Sequence, residues 1–144
     1  MNTINRTSAV LAGRILRGGL WGAQSLLAAA YIASGFTKLA TPIAKLSSMM
    51  PWTGEFPETF VRFIGVVDLA AGLGVLLPAL TRIAPRLTVL AALGASVLQV
   101  FAMGLHASRG EFSVLPINLV LLALSLFILW GRSRRAPIAP RSSR

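Results

Sequence analysis

Cysteine is absent from the 144 residues, so the chain brings no disulfide, no thiolate metal site and no CxxC redox pair of its own. Acidic residues are nearly absent as well, with four Asp and Glu against fourteen Lys and Arg. Charged residues make up 12% of the chain and hydrophobic ones 55%, whereas soluble domains hold about 25% charged residues. Histidine occurs once, as His106. Zinc usually takes about four ligands and haem often two axial ones, so this chain alone completes neither site. No phosphate-cradling glycine loop and no nucleophile–base–acid arrangement is present, which leaves no self-contained catalytic constellation and no metal site.

What is present instead is a set of four apolar runs, at about residues 19–40, 57–79, 87–107 and 112–131. Each reaches the ~20 residues needed to cross a hydrocarbon core. They lack the alternation of barrel strands, so helices are predicted, since lipid-exposed backbone must bond to itself. Pro42, Pro51 and Pro57 break the chain after the first run, Pro78 and Pro85 bracket a turn after the second, and Pro116 opens the fourth. The expected fold is all-α, a bundle of four transmembrane helices over residues 19–131. A basic segment (1–18) precedes it and a basic disordered tail (132–144) follows. A cleaved signal peptide is the alternative for the first run, but apolar sequence continues well past Ala30, as in a retained anchor.

The arginines flank apolar runs rather than covering a soluble surface, so the expected partner is the bilayer and not nucleic acid. Arg6, Arg14 and Arg17 precede the first run, Arg82 and Arg86 lie between the second and third, and five arginines follow the fourth. By the positive-inside rule both termini face the cytoplasm. Every carboxylate except Asp68 then falls on the opposite side. Trp52 is expected there as an interfacial anchor, with Trp21 and Trp130 at the other face.

Each span carries polar residues at matching depth. Asp68, eleven residues past Pro57, lies near the bilayer centre, level with Tyr31, Gln99 and Ser125. Lys38, Arg62, His106 and Asn118 form a shallower layer. Tyr31 and Lys38, Gln99 and His106, and Asn118 and Ser125 are each seven residues apart, hence on one helical face. Gly65, Asp68 and Gly72 share a stripe, and glycines so spaced let a neighbouring helix approach, which turns Asp68 inward. Arg62 lies about 120° around the helix from Asp68 and is expected to snorkel to the headgroups. Lys38, Asp68, Gln99 and Tyr31 are the expected polar lock, with His106 and Asn118 as further candidates. A proton- or ligand-handling site is the alternative.

The segment "MPWTGEFPETFVRFIGVVDLAAGLGVLLPALTRIAPRLTVLAALG", with "SGFTKL" before it and "LHASRGE" and "LPINLVLLALSLFILWGR" after it, closely resembles the DoxX-like family of small four-helix membrane proteins. The resemblance covers about residues 21–132. It implies a four-helix bundle in a bacterial cytoplasmic membrane, with Lys38, Asp68 and His106 in its polar interior; the family commonly has an acidic residue, often Glu, at the position of Asp68. Founding DoxX-type proteins are linked to a thiosulfate:quinone oxidoreductase as a membrane subunit, and others to responses to oxidants and thiols. No quinone or thiosulfate motif is matched here. The expected role is therefore an accessory or anchoring subunit for a redox-protein partner, with no cofactor of its own. The alternatives are a quinone- or small-anion-binding protein, or a small transporter acting as a homo-oligomer.

Overall fold

A computed structural model describes residues 2–141, with side chains described from residue 7. Two of the flanking arginines, the Arg6 side chain and Arg144, thus lie outside the described part. Five α-helices are present: α1 (Asn2–Ala40), α2 (Ile43–Met49), α3 (Glu58–Thr81), α4 (Arg86–Ser108) and α5 (Leu115–Trp130). Short 3-10 turns occupy Pro51–Gly54 and Phe112–Val114, and a π-helical turn, Gly131–Arg135, extends α5. No strand occurs among the described residues. The four long helices close a ring in which α1 packs on α3, α3 on α4, α4 on α5 and α5 on α1.

Among the described residues, three helical segments are long and apolar enough to cross a membrane: Glu58–Thr81, Arg86–Ser108 and Phe112–Arg135. α1 is longer, but Gln24, Ser25, Ser34 and several glycines dilute its apolar half. Composition therefore marks three of the four expected spans. α1 also starts far ahead of residue 19. At 39 residues it extends about 58 Å, nearly twice the ~30 Å hydrocarbon core. Hydropathy marks where apolar sequence begins, not where a helix begins, and Arg, Leu and Ala carry the helix through the basic segment.

The bundle keeps a buried apolar core that includes Leu27, Val75 and Ile128, but small and polar residues share the interior and many large apolar side chains face out. Facing inward are Gly65, Asp68, Ala71 and Gly72 of α3, Thr88, Ala92, Ala95, Ser96 and Gln99 of α4, and Asn118 and Ser125 of α5. Facing outward are Phe63, Val66, Leu73, Leu90, Phe101, Leu119 and Val120. In water this would expose a large apolar surface. In lipid it is the economical arrangement, since tails solvate Leu and Phe while small residues let helices pack closely.

Prolines set the ends of several elements. Pro42 and Pro57 are the N-caps of α2 and α3, and Pro85 that of α4. Pro78 does not end its helix as expected: α3 runs on to Thr81 and stops where Arg82 turns left-handed at φ 61°. A proline removes one helical donor, and neighbouring helices commonly satisfy the freed carbonyls. The carbonyl freed by Pro78 is that of Gly74; Gln24 of α1 braces the same turn, its Nε2 donating to the neighbouring Val75 carbonyl at 2.8 Å.

The segment between α1 and α3 folds over one end of the ring. Leu46, Trp52 and Val61 form a buried cluster there with Ile43, Phe56 and Leu105 around it. Trp52, expected as an interfacial anchor, is instead buried, with the Phe56 ring edge-on at 6.1 Å. At the other end, the residues expected as a disordered tail pass from the π turn back to the α3–α4 connection. The Arg141 amide donates to the Arg82 carbonyl at 3.0 Å, and Arg82 Nε donates to the Ala139 carbonyl at 3.1 Å.

Candidate functional site

Helices α1 and α3 approach each other backbone to backbone. A Cβ on Gly35 would sit 2.6 Å from the Gly65 carbonyl oxygen, and one on Gly72 would sit 2.8 Å from Ile32. Neither distance is tolerable without a shift of backbone or branched side chain. Gly35, Gly65 and Gly72 therefore set the spacing of the two helices. Ser34 and Lys38 flank this contact on α1, one turn apart, and Asp68 lies one turn past Gly65 on α3. Absence of side chains at the crossing brings these three polar groups together.

Lys38 Nζ lies 2.8 Å from Asp68 Oδ2, and the side chains are 8% and 5% exposed. Ser34 Oγ donates to the same carboxylate oxygen at 2.8 Å, and Lys38 Nζ also donates to Ser34 Oγ. The result is a closed, charge-balanced triangle.

Tyr31 and Gln99 form a separate pair, with Tyr31 one turn before Ser34 on α1. Gln99 Nε2 donates to Tyr31 Oη at 3.0 Å, and the tyrosine hydroxyl donates to the Ala95 carbonyl at 3.1 Å, which ties α1 to α4. The expected four-residue lock thus resolves into two local networks, one facing α3 and one facing α4. Gln99 Oε1 and Asn118 Nδ2 are both buried without a hydrogen-bond partner. Ser125 turns back to its own helix, donating to the Leu121 carbonyl at 2.7 Å.

His106 does not join Lys38 and Asp68. Its Nδ1 lies 2.6 Å from Glu111 Oε2, in the loop that follows α4. Arg109 Nε donates to Glu111 Oε1 at 2.8 Å, and its outer nitrogens reach the Glu55 carboxylate, at 2.7 Å for Nη2. Hydrogen bonds from Arg109 hold the Glu55 carboxyl below its ordinary pKa. His106, then Arg109, does the same for Glu111. The Arg109 guanidinium is shifted up in turn by Glu55 and then Glu111. This network pins the two loops at that end to one another.

Arg62, expected to snorkel to the headgroups, is held by protein groups. Its Nη1 donates to the Lys38 carbonyl and, at 2.8 Å, to the Thr41 carbonyl, while Nη2 pairs with Glu58 at 2.8 Å. It therefore caps the unsatisfied C-terminal carbonyls of α1, where the helix dipole is negative. Arg62 thereby fixes the end of the helix that carries Lys38.

Ser34, Arg109, Glu111 and the Arg62 contacts were not singled out from sequence. Ser34 alone left a signal, since it precedes Lys38 by four residues on the same face. The others depend on where loops fold, which helical spacing does not encode. No group of three or more His, Cys, Asp or Glu that could hold a metal ion occurs among the described residues.

Compared with known proteins, residues 22–128 match the model of a family described as DoxX-like. That range takes in every side chain of both buried networks. No curated protein and no solved structure matches the chain.

Proposed function

Because the chain belongs to the DoxX-like family, we propose that this integral membrane protein is an accessory or anchoring subunit of a membrane redox process, with a structural core in place of an active site. The observation that carries this reading is the closed Ser34–Lys38–Asp68 triangle, whose charges cancel and whose hydrogen bonds are internal. The apolar outer faces of all four long helices support four crossings, with α1 completing the ring, in a bacterial cytoplasmic membrane. Positive flanks support both termini on the cytoplasmic side.

Mild-detergent extraction followed by mass spectrometry of co-purifying proteins tests the subunit role. Recovery of a flavin or iron–sulfur oxidoreductase is the expected result. Recovery of the chain alone would overturn it.

A second reading, binding of a quinone, is favoured by one feature. Gln99 Oε1 and Asn118 Nδ2 are buried with unmet hydrogen-bonding capacity, and an amide N–H is a suitable donor to a quinone carbonyl. Extracted protein should then retain a quinone that Asn118→Leu loses. Wild-type protein free of quinone would dismiss this second reading without touching the first.

A further inference from the structure

Arg132 is 5% exposed at the opposite end of the bundle from the loop ion pairs. Its Nε donates to Gln24 Oε1 at 2.7 Å, its Nη1 reaches the Ala136 carbonyl at 3.3 Å, and its guanidinium lies 5.0 Å from the centre of the Trp21 ring. Nη2 is buried with no partner. No acidic side chain balances this charge. Glu55 and Glu111 are held by Arg109, Glu58 by Arg62, and Asp68 by Lys38, which accounts for all four carboxylate side chains of the sequence. A buried guanidinium left without a counter-charge is costly.

Arg132 also lines a pocket of about 360 Å³ between α4 and the returning C-terminal segment. Arg86, the first residue of α4, lines it from another side, and Val89, Pro137 and Ile138 supply apolar walls. The N-terminus of a 23-residue helix adds positive potential. The Arg82–Ala139 and Arg141–Arg82 hydrogen bonds hold the segment that forms the outer wall.

We propose that this pocket binds a phosphate group, with Arg132 Nη2 and Arg86 as its donors, and that the Gln24 contact positions the guanidinium for it. In a bilayer the source is the headgroup of an anionic phospholipid, whose glycerol and first methylenes suit the apolar walls. In solution the same donors take a free phosphate ion. The site lies partly outside residues 22–128, which match the family.

The test uses the full chain, delipidated in mild detergent. Native mass spectrometry follows titration with phosphatidylglycerol or phosphatidylcholine, and calorimetry follows titration with inorganic phosphate. The expected result is phosphatidylglycerol bound at least about tenfold more tightly than phosphatidylcholine. Both lipids offer the phosphodiester, but phosphatidylcholine sets a quaternary ammonium beside it, which two arginines without a counter-charge repel; one charge-assisted hydrogen bond to the phosphate is worth about tenfold or more. Arg86→Gln and Arg132→Gln should each lose about tenfold, and Arg134→Gln, an exposed arginine outside the pocket, should bind as wild type does. Arg132→Gln also frees Gln24, so Arg86→Gln, at an exposed residue, is the variant that leaves packing intact. Phosphate binding with the same variant pattern, without lipid preference, would assign the site to the free ion. Equal binding of both lipids with no phosphate binding would overturn the proposal, as would equal losses in Arg134→Gln and Arg86→Gln.

Discussion

Neutralising Asp68 is the most informative single change. In Asp68→Asn the Lys38 ammonium keeps its contact with Ser34 but loses its counter-charge, at a side chain that is only 8% exposed. Breaking one partner of a buried pair costs about 3–5 kcal/mol, chiefly because the other charge stays buried. An asparagine oxygen still accepts from Lys38 and Ser34, so the lower end of that range, about 3 kcal/mol, is expected. Lys38→Met should cost about as much, since it strands the carboxylate with one hydroxyl donor. The double variant removes both charges, retains an amide for Ser34 and fills the lysine volume with a thioether. It should lie within about 1 kcal/mol of wild type. Unfolding of the full chain in mixed micelles with increasing SDS, followed by far-ultraviolet circular dichroism, reads all three values. The reasoning fails if Asp68→Asn unfolds at the wild-type midpoint, or if the two single effects add to within about 0.5 kcal/mol in the double variant.

The glycine contacts give a graded set in the same assay. Gly35→Ala, which faces the Gly65 carbonyl, should cost about 1–3 kcal/mol, whereas Gly94→Ala, with open space around its Cβ, should be neutral or stabilising. In acid, the lowered carboxyls of Glu55 and Glu111 contribute stability that is fully present above their unfolded pKa of about 4.3 and is lost as pH falls through their folded values. Melting temperatures should therefore decline modestly below about pH 4, since these pairs are exposed, and Arg109→Gln should flatten that decline. Because the chain has no cysteine, single-cysteine labelling reports topology without background. A membrane-impermeant thiol reagent should label Ser48→Cys in intact cells, and Ser133→Cys only after permeabilisation; the reverse pattern would refute the orientation.

Much of the architecture was legible because two simple periodicities dominate this chain. Apolar runs of about 20 residues follow from bilayer thickness, and they fall on α3, α4 and α5 with its flanking turns. The inward turn of Asp68 was legible from Gly65 and Gly72, since a glycine stripe marks the face where another helix comes close. Spacing does not say which neighbour a face meets. Tyr31 and Lys38 lie on one side of α1, yet the first meets α4 and the second meets α3, so one expected cluster became two. His106 shows a different limit. Its place near the end of α4 follows from the sequence, but the loop after α4 returns Glu111 to within 2.6 Å of it, and a five-residue separation across a turn has no periodic signature. Arg132 sits among tail arginines that look alike in sequence, and only the fold separates it from Arg134 and Arg135.

The same geometry explains why the buried charges and the buried amides have different capacities. Lys38, Ser34 and Asp68 satisfy one another at a crossing fixed by glycines, so inserting a ligand there would break a charge pair and force apart helices whose backbones already touch. Gln99 and Asn118 are held by α4 and α5, and each keeps an unsatisfied polar atom, which costs about 1–3 kcal/mol while it stays unmet. A protein that only needed rigidity would gain by replacing them with leucine. If a quinone binds this bundle, the unmet atoms of Gln99 and Asn118 put its hydrogen-bonding partners on the α4–α5 side, while Asp68 holds α1 against α3.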